Sequence, residues 1–213
     1  MFDNSKGTFN REMPLQTRLA PVVATTAKDE TRTIDVIFST GAKVARRDFW
    51  SGKRYDEELE ISERAVDLSR LNGGAPLLNT HGTWTLEDQI GVVERAWIDG
   101  DKGMATVRFS PRDSVEPIWR DVKAGIVRNI SIGYTTQRYE ITEQEGKPPL
   151  YRAVEWQPYE ISLVPVPADA GAGTRSASPS PLFPCHFVRA GQPVIDTGAA
   201  QRQRQIEILR LSV

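Results

Sequence analysis

Short runs of two-residue alternation, cut by turn residues, constrain this chain more than any other feature. An alternating run can bury a single face only as a β-strand. The clearest case is Ile90 to Ile98 followed by Met104 to Phe109, with the strong hairpin signal Asp99-Gly-Asp-Lys-Gly103 between them. Thr31 to Thr40 sets Ile34, Val36 and Phe38 on one face. Further strands are expected in Val44 to Ile61, at Leu77-Leu78 leading into His81, and over Val127 to Ile141, Tyr151 to Trp156 and Tyr159 to Val164. Helical signals are few. Ser62 can cap a short helix whose Ala65, Leu68 and Leu71 face one way and which ends at Gly73-Gly74. Asp113-Ser-Val-Glu116 resembles a capping box ahead of Val115, Ile118, Trp119 and Val122, and Pro117 is tolerable there because it lies in the first turn. The fold class is therefore mainly β (α+β): a mostly antiparallel domain with two or three short helices.

The ends read differently. Residues 1–28 lack a sustained period and are expected to form a flexible arm, while 29–171 hold the folded domain. Residues 172–213 open with a Gly/Ala/Ser/Pro linker and close on a helical segment, Gln201 to Leu211, too short to be stable alone. Charge is balanced, 27 basic against 28 acidic residues, with no basic stripe, so nucleic acid is not an expected partner. A single cysteine, Cys185, excludes an internal disulfide and fits a reducing compartment. No apolar run approaches membrane-spanning length and the first residues lack an apolar signal core, so a soluble, intracellular protein is expected.

Two histidines limit the chemistry. His186 lies in a Ser/Pro-rich stretch not expected to fold, which leaves His81, after Ala75-Pro-Leu-Leu-Asn-Thr, for any imidazole in a folded core. In Arg128-Asn-Ile-Ser131-Ile-Gly133-Tyr134, alternation puts Ser131 on a face with Asn129 and Gly133. In Pro158-Tyr-Glu160-Ile-Ser162-Leu-Val, Glu160 shares a face with Ser162. A neutral serine hydroxyl is a weak nucleophile and needs a base. The base in turn needs an acceptor that fixes its tautomer and stabilises the imidazolium. Gly133, two residues from the serine, leaves room for a substrate backbone. Taken singly, Ser131 reads as a small polar filler, His81 as a solvated side chain and Glu160 as a solvent-face charge. Neither histidine has partners at metal-ligand spacing and no Gly-rich phosphate cradle occurs, so neither metal nor organic cofactor is expected. A cysteine peptidase built on Cys185 and His186 is a poor reading, because adjacent residues point apart.

As an ordered set, Pro76 to His81, Gly91-Val-Val93, Ser131-Ile-Gly-Tyr134 and Glu160-Ile-Ser-Leu-Val164 with Pro167-Ala168 resemble the prohead (capsid maturation) serine proteases of tailed phages. That family is related in fold to herpesvirus assemblin, and the match runs from about Asp35 to about Gly171. The resemblance implies a closed or nearly closed antiparallel β-barrel with a few flanking helices. It also implies that 29–171 is a serine protease domain, with Ser131 as nucleophile, His81 as general base and Glu160 orienting His81. The backbone N–H groups of Ala168 and Asp169 would form the oxyanion hole. Substrates and partners would be the major capsid protein with its scaffold segment and other prohead components, met inside the immature capsid in the host cytoplasm; homo-oligomerisation is compatible with this. Self-cleavage in the tails is also expected. The alternative is a catalytically inactive scaffolding protein of a phage capsid.

Overall fold

The computed structural model describes residues 8–21, 26–165 and 182–191. Its centre is a long antiparallel ladder between β9 (Asn129–Thr142) and β10 (Leu150–Leu163). Each of these strands is long enough to take two partners along its outer edge. β9 pairs with β2 (Gln16–Pro21) along its first half and with β11 (Leu182–Arg189) along its second. β10 pairs with β5 (Arg54–Leu59) near its start and with β6 (Pro76–Asn79) near its end, both in parallel. From β6 the sheet continues through β7 (Gln89–Asp99) and β8 (Lys102–Phe109) to β3 (Thr33–Ser39). β1 (Thr8–Pro14) lies outside β11, and β4 (Val44–Arg47) lies outside β5.

The expected closed barrel is corrected by this topology. The path begins at β1 and ends at β3, and no ladder joins the two. β3 curls round to lie against β2, but it does not pair with it. Because β9 and β10 each carry two neighbours on one edge, the sheet forks instead of closing. It is an open sheet, and among the described strands β5 and β6 pair with β10, and β11 with β9, in parallel.

Alternation predicted the core side of the strands well. Ile34, Val36 and Phe38 are each no more than 1 % exposed, and Phe38 and Tyr134 pack edge-on against the buried Trp156. The hairpin between β7 and β8 forms with Gly100 in the left-handed region at φ +59°. The two segments Tyr151 to Trp156 and Tyr159 to Val164 are instead one strand, β10, kept continuous by irregularities in its register.

Local signals that competed with the sheet lost. Ser62 does bond the Ala65 N–H through Oγ (3.2 Å), but no helix follows there. The backbone of Ala65 and Asp67 pairs with Trp156 instead, so only α1 (Ser69–Asn72) forms. α2 (Glu116–Lys123) has Val115 as its N-cap and no side-chain cap. Glu116 turns away from the expected capping box to bond Arg32 (2.6 Å) and Arg120 (2.8 Å).

The N-terminal region is also revised. Residues 8–21, expected in a loose arm, are β1 and β2. Residues 182–189, expected in a flexible tail, are β11. The linker from 172 to 181 and the expected helix at Gln201 to Leu211 lie outside the described residues.

What fastens β2 is a buried charge. Glu57 on β5 is fully buried, and its Oε2 accepts from Arg18 Nη2 (3.0 Å), Arg46 Nε (3.1 Å) and the Tyr134 hydroxyl (2.5 Å). The Tyr139 hydroxyl donates to Oε1. Gln16 joins in by donating to the Tyr139 hydroxyl (2.9 Å). The network ties β2, β4, β5 and β9 together.

Burial alone would raise the Glu57 pKa, but Arg46 and Arg18, helped by the two tyrosine hydroxyls, hold it below the ordinary carboxylate range. A folded-state pKa depressed in this way stabilises the protein above the ordinary value of 4.5 and is lost as pH falls through the folded value. Replacing Glu57 by Gln strands two guanidinium groups and is expected to lower stability by about 3–5 kcal/mol at neutral pH. Denaturant titrations of both proteins above and below that pH check this: the wild type should lose stability on acidification more steeply than Glu57→Gln.

Candidate active site

The site rests on a phase change in β10. Pro158 pairs with Tyr134, but the next pair is Glu160 with Gly133, so Tyr159 is an extra residue on the β10 side. Had pairing continued in step, Glu160 would face Ile132 and sit on the other side of the sheet from Ser131. The bulge reverses the phase and sets Glu160 opposite Gly133 and Ser162 opposite Ser131. Pro158, which has no N–H to give to a ladder, is tolerated in mid-strand beside this irregularity.

Gly133 is what lets the acid lie where it does. A Cβ at that position would fall 2.6 Å from Glu160 Oε1. The room expected there for a substrate backbone is filled by this carboxylate, and both edges of Gly133 are already paired, to Thr17 and to Glu160.

His81 comes from the turn after β6. Thr80 and His81 both have left-handed backbones, φ +52° and +59°, a conformation that strains β-branched and bulky residues by roughly 1–3 kcal/mol each. Three hydrogen bonds hold it: Thr80 N–H to Leu163 O (2.9 Å), His81 N–H to Ser162 Oγ (3.2 Å) and Gly82 N–H to Asn79 O (2.9 Å). The turn carries the imidazole over β10, where Nδ1 lies 2.7 Å from Glu160 Oε1. The carboxylate is nearly buried and the ring 28 % exposed. Beyond the turn, the backbone N–H groups of Thr85 and Trp84 cap Asp88 and hold its carboxyl below its ordinary range. That loop leaves Trp84 and Leu86 on the surface.

The structure thus brings His81 and Glu160 into contact and sets Ser131, 2 % exposed, across the ladder from Ser162. The described hydrogen bonds of His81 run to Glu160 and Ser162 and do not reach Ser131. Nδ1 facing the carboxylate leaves Nε2 as the nitrogen that can act as a base. An imidazole held by a carboxylate through one nitrogen, with the other left over, is the arrangement that a general base requires. Ala168 and Asp169 lie outside the described residues. Among the described residues no cluster of three or more His, Cys, Asp or Glu could hold a metal, and no helix is long and apolar enough to cross a membrane.

Three features of the site escape sequence reasoning. The left-handed turn at Thr80-His81 has no glycine to announce it. The bulge at Tyr159 shows only as a proline within a strand. β2 pairs Leu19 with Ser131 across more than a hundred residues of chain, which no local pattern encodes. Cys185 and His186 sit on β11, where Cys185 is buried and its thiol pKa is raised by that burial, while His186 is exposed and bonds Asn10. The pair does not converge on a common point.

Residues 79–180 match the family described as caudovirus prohead serine protease. A stretch of 118 residues, 55 % of the chain, is 48 % identical to the major capsid protein of Halomonas phage phiHAP-1. A stretch of 62 residues, 29 % of the chain, is 34 % identical to the capsid polyprotein of Pseudomonas phage PAJU2. The aligned stretches span 20 % and 9 % of the lengths of those two relatives. Among solved structures, the capsid assembly protease of bacteriophage T4 aligns over 74 % of this chain and 98 % of its own, at a TM-score of 0.40 and 10 % identity.

Two outcomes follow from the geometry. Gly133→Ala should push the Glu160 carboxylate off its place and abolish the low-field imidazole N–H proton resonance of His81, with a packing penalty of about 1–3 kcal/mol. An unchanged resonance in the folded variant would contradict the geometry. Cys185 should resist a thiol-specific reagent until the chain unfolds, because its thiolate is not accessible at neutral pH; labelling of the native protein by mass spectrometry decides it.

Proposed function

We infer that residues 79–180, which contain His81, Ser131 and Glu160, belong to the caudovirus prohead serine protease family, whose model they match. On that premise we propose that the chain carries a serine endopeptidase that cleaves scaffold and capsid-protein segments, and itself, during maturation of a phage prohead. The observation that carries this reading is the 2.7 Å contact between His81 Nδ1 and Glu160 Oε1, on the face of the sheet that holds Ser131.

In this mechanism Ser131 Oγ attacks the scissile carbonyl carbon while His81 Nε2 takes the hydroxyl proton. Glu160 keeps the remaining proton on Nδ1 and stabilises the imidazolium that forms. The tetrahedral intermediate collapses as His81 hands its proton to the departing amine, leaving an acyl group on Ser131 Oγ. Water then enters, loses a proton to His81 and attacks the ester carbonyl. As the second intermediate collapses, the bond to Ser131 Oγ breaks, His81 returns its proton to that oxygen, and the carboxylic acid leaves. Backbone N–H groups of Ala168 and Asp169 are the proposed donors to the oxyanion in both intermediates; Pro165 and Pro167 have no N–H to give. No step calls for a metal or an organic cofactor.

The names of the two phage relatives support capsid protein as substrate and partner, and the interior of the prohead in the host cell as the place of action. The same names favour a second reading, an inactive scaffolding protein. Co-expression with the neighbouring capsid protein followed by intact-mass analysis separates the two. Cleavage should be lost, by a factor on the order of 10⁶, in Ser131→Ala and in His81→Ala, and reduced about 10³–10⁴-fold in folded Glu160→Gln. Cleavage that persists in Ser131→Ala, or its absence in the wild type, would favour the scaffold.

A further inference from the structure

Ser162 closes a ring of hydrogen bonds around the base. Its hydroxyl donates to Glu160 Oε2 (2.5 Å) and accepts the backbone N–H of His81 (3.2 Å), while Glu160 Oε1 meets His81 Nδ1 (2.7 Å). The same serine therefore grips the acid and the main chain of the base. It is fully buried, in a strand whose register pairs it with Ser131. A hydroxyl has one proton and lone pairs to accept with, so both bonds are satisfied at once.

The constraint matters because each partner is otherwise loose in one respect. A carboxylate held only by its far oxygen can rotate about its terminal torsion, which is broad. His81 stands in a left-handed turn, a conformation that persists only where the surroundings over-determine it. The bond from His81 N–H to Ser162 pins the turn, and the bond from Ser162 to Oε2 pins the rotation of the carboxylate. A small polar filler would need only one such bond. Ser162 makes two, and both lead to the same imidazole.

We infer that Ser162 is a positioning residue for the proposed Ser131–His81–Glu160 chemistry, acting through Glu160 and the His81 backbone and not on substrate. The inference rests on the protease reading, so its test must fail separately from it. A fluorophosphonate probe, which reacts with an activated serine without any peptide substrate, is applied to the full-length protein, and the rate of labelling at Ser131 is followed by intact mass. Wild type, Ser162→Ala, Ser162→Cys, Glu160→Gln and the Ser162→Ala/Glu160→Gln double variant are compared, each checked for folding by thermal unfolding.

Ser162→Ala is expected to slow labelling by roughly 10–100-fold, in the range seen when an outer partner of a reacting group is lost. Ser162→Cys keeps the branching of the side chain, with a larger atom that is only a weak donor, and it should behave as Ala does. The double variant should label no more than about threefold slower than Glu160→Gln alone, because two residues acting through one link are not additive. The low-field N–H resonance of His81 should weaken or shift in Ser162→Ala. Labelling of Ser162→Ala or Ser162→Cys at the wild-type rate, or losses that multiply in the double variant, would overturn the inference. Absence of labelling in the wild type would instead overturn the protease reading, and the His81 resonance would still decide whether Ser162 positions the ring.

Discussion

The ladder between β9 and β10 is the interaction on which the rest depends. It supplies the platform to which β2, β11, β5 and β6 attach, and its register decides which side chains meet. Because side chains alternate with a period of two, an even continuation past Pro158 would send Glu160 and Ser162 to the face opposite Ser131. One extra residue, Tyr159, corrects the phase. The site is therefore a consequence of where the ladder slips, and the pair Gly133–Glu160 marks the slip. Glycine there is a requirement of the acid, since any side chain would occupy the space of its carboxylate.

Two polar clusters hold the two sides of this platform, and they work differently. The Glu57 cluster is a buried charge satisfied by two arginines and two tyrosines, and it locks β2 against β9 from the face that carries Tyr134. A buried ion network of this kind is poor evidence of net stability but makes its own disruption expensive, so it favours one arrangement of strands over others. The His81–Glu160–Ser162 ring lies on the opposite face, next to solvent on the imidazole side. It holds strain in the turn at Thr80-His81 in exchange for a fixed direction of the ring. One cluster sets where Ser131 is; the other sets where the base points.

The family match and the geometry bear on different questions. Residues 79–180 span the turn of His81, the strand of Ser131 and the strand of Glu160, so the match covers all three segments without saying how they touch. The contact between His81 and Glu160, and the closure of the ring through Ser162, are features of the tertiary structure alone. β1 and β2 lie outside the matched residues, although β2 pairs with the strand of Ser131. The protein embeds the matched segment in a sheet that reaches back to its own N-terminal strands.

Much of the fold was legible in order of residues: alternation located the strands, the Asp-Gly signal located the hairpin, and Ile34, Val36 and Phe38 named a core face. The meeting of His81 with Glu160 was legible too, because so few histidines leave little choice and the Ser-x-Gly and Glu-x-Ser spacings place polar groups on single faces. These are local properties, set by the period of the backbone and by residue type. What the sequence could not decide was pairing: that residues 8–21 and 182–189 join the sheet, that it forks and stays open, that Ala65 pairs with Trp156 in place of starting a helix, and that Arg18 and Arg46 find Glu57. Each of those depends on which distant backbone or charge becomes available once the chain is folded. Local propensities of a few tenths of a kcal/mol to about 1 kcal/mol are too small to resist such partners. The tertiary structure chose the neighbours, and the neighbours placed Ser131, His81, Glu160 and Ser162 together.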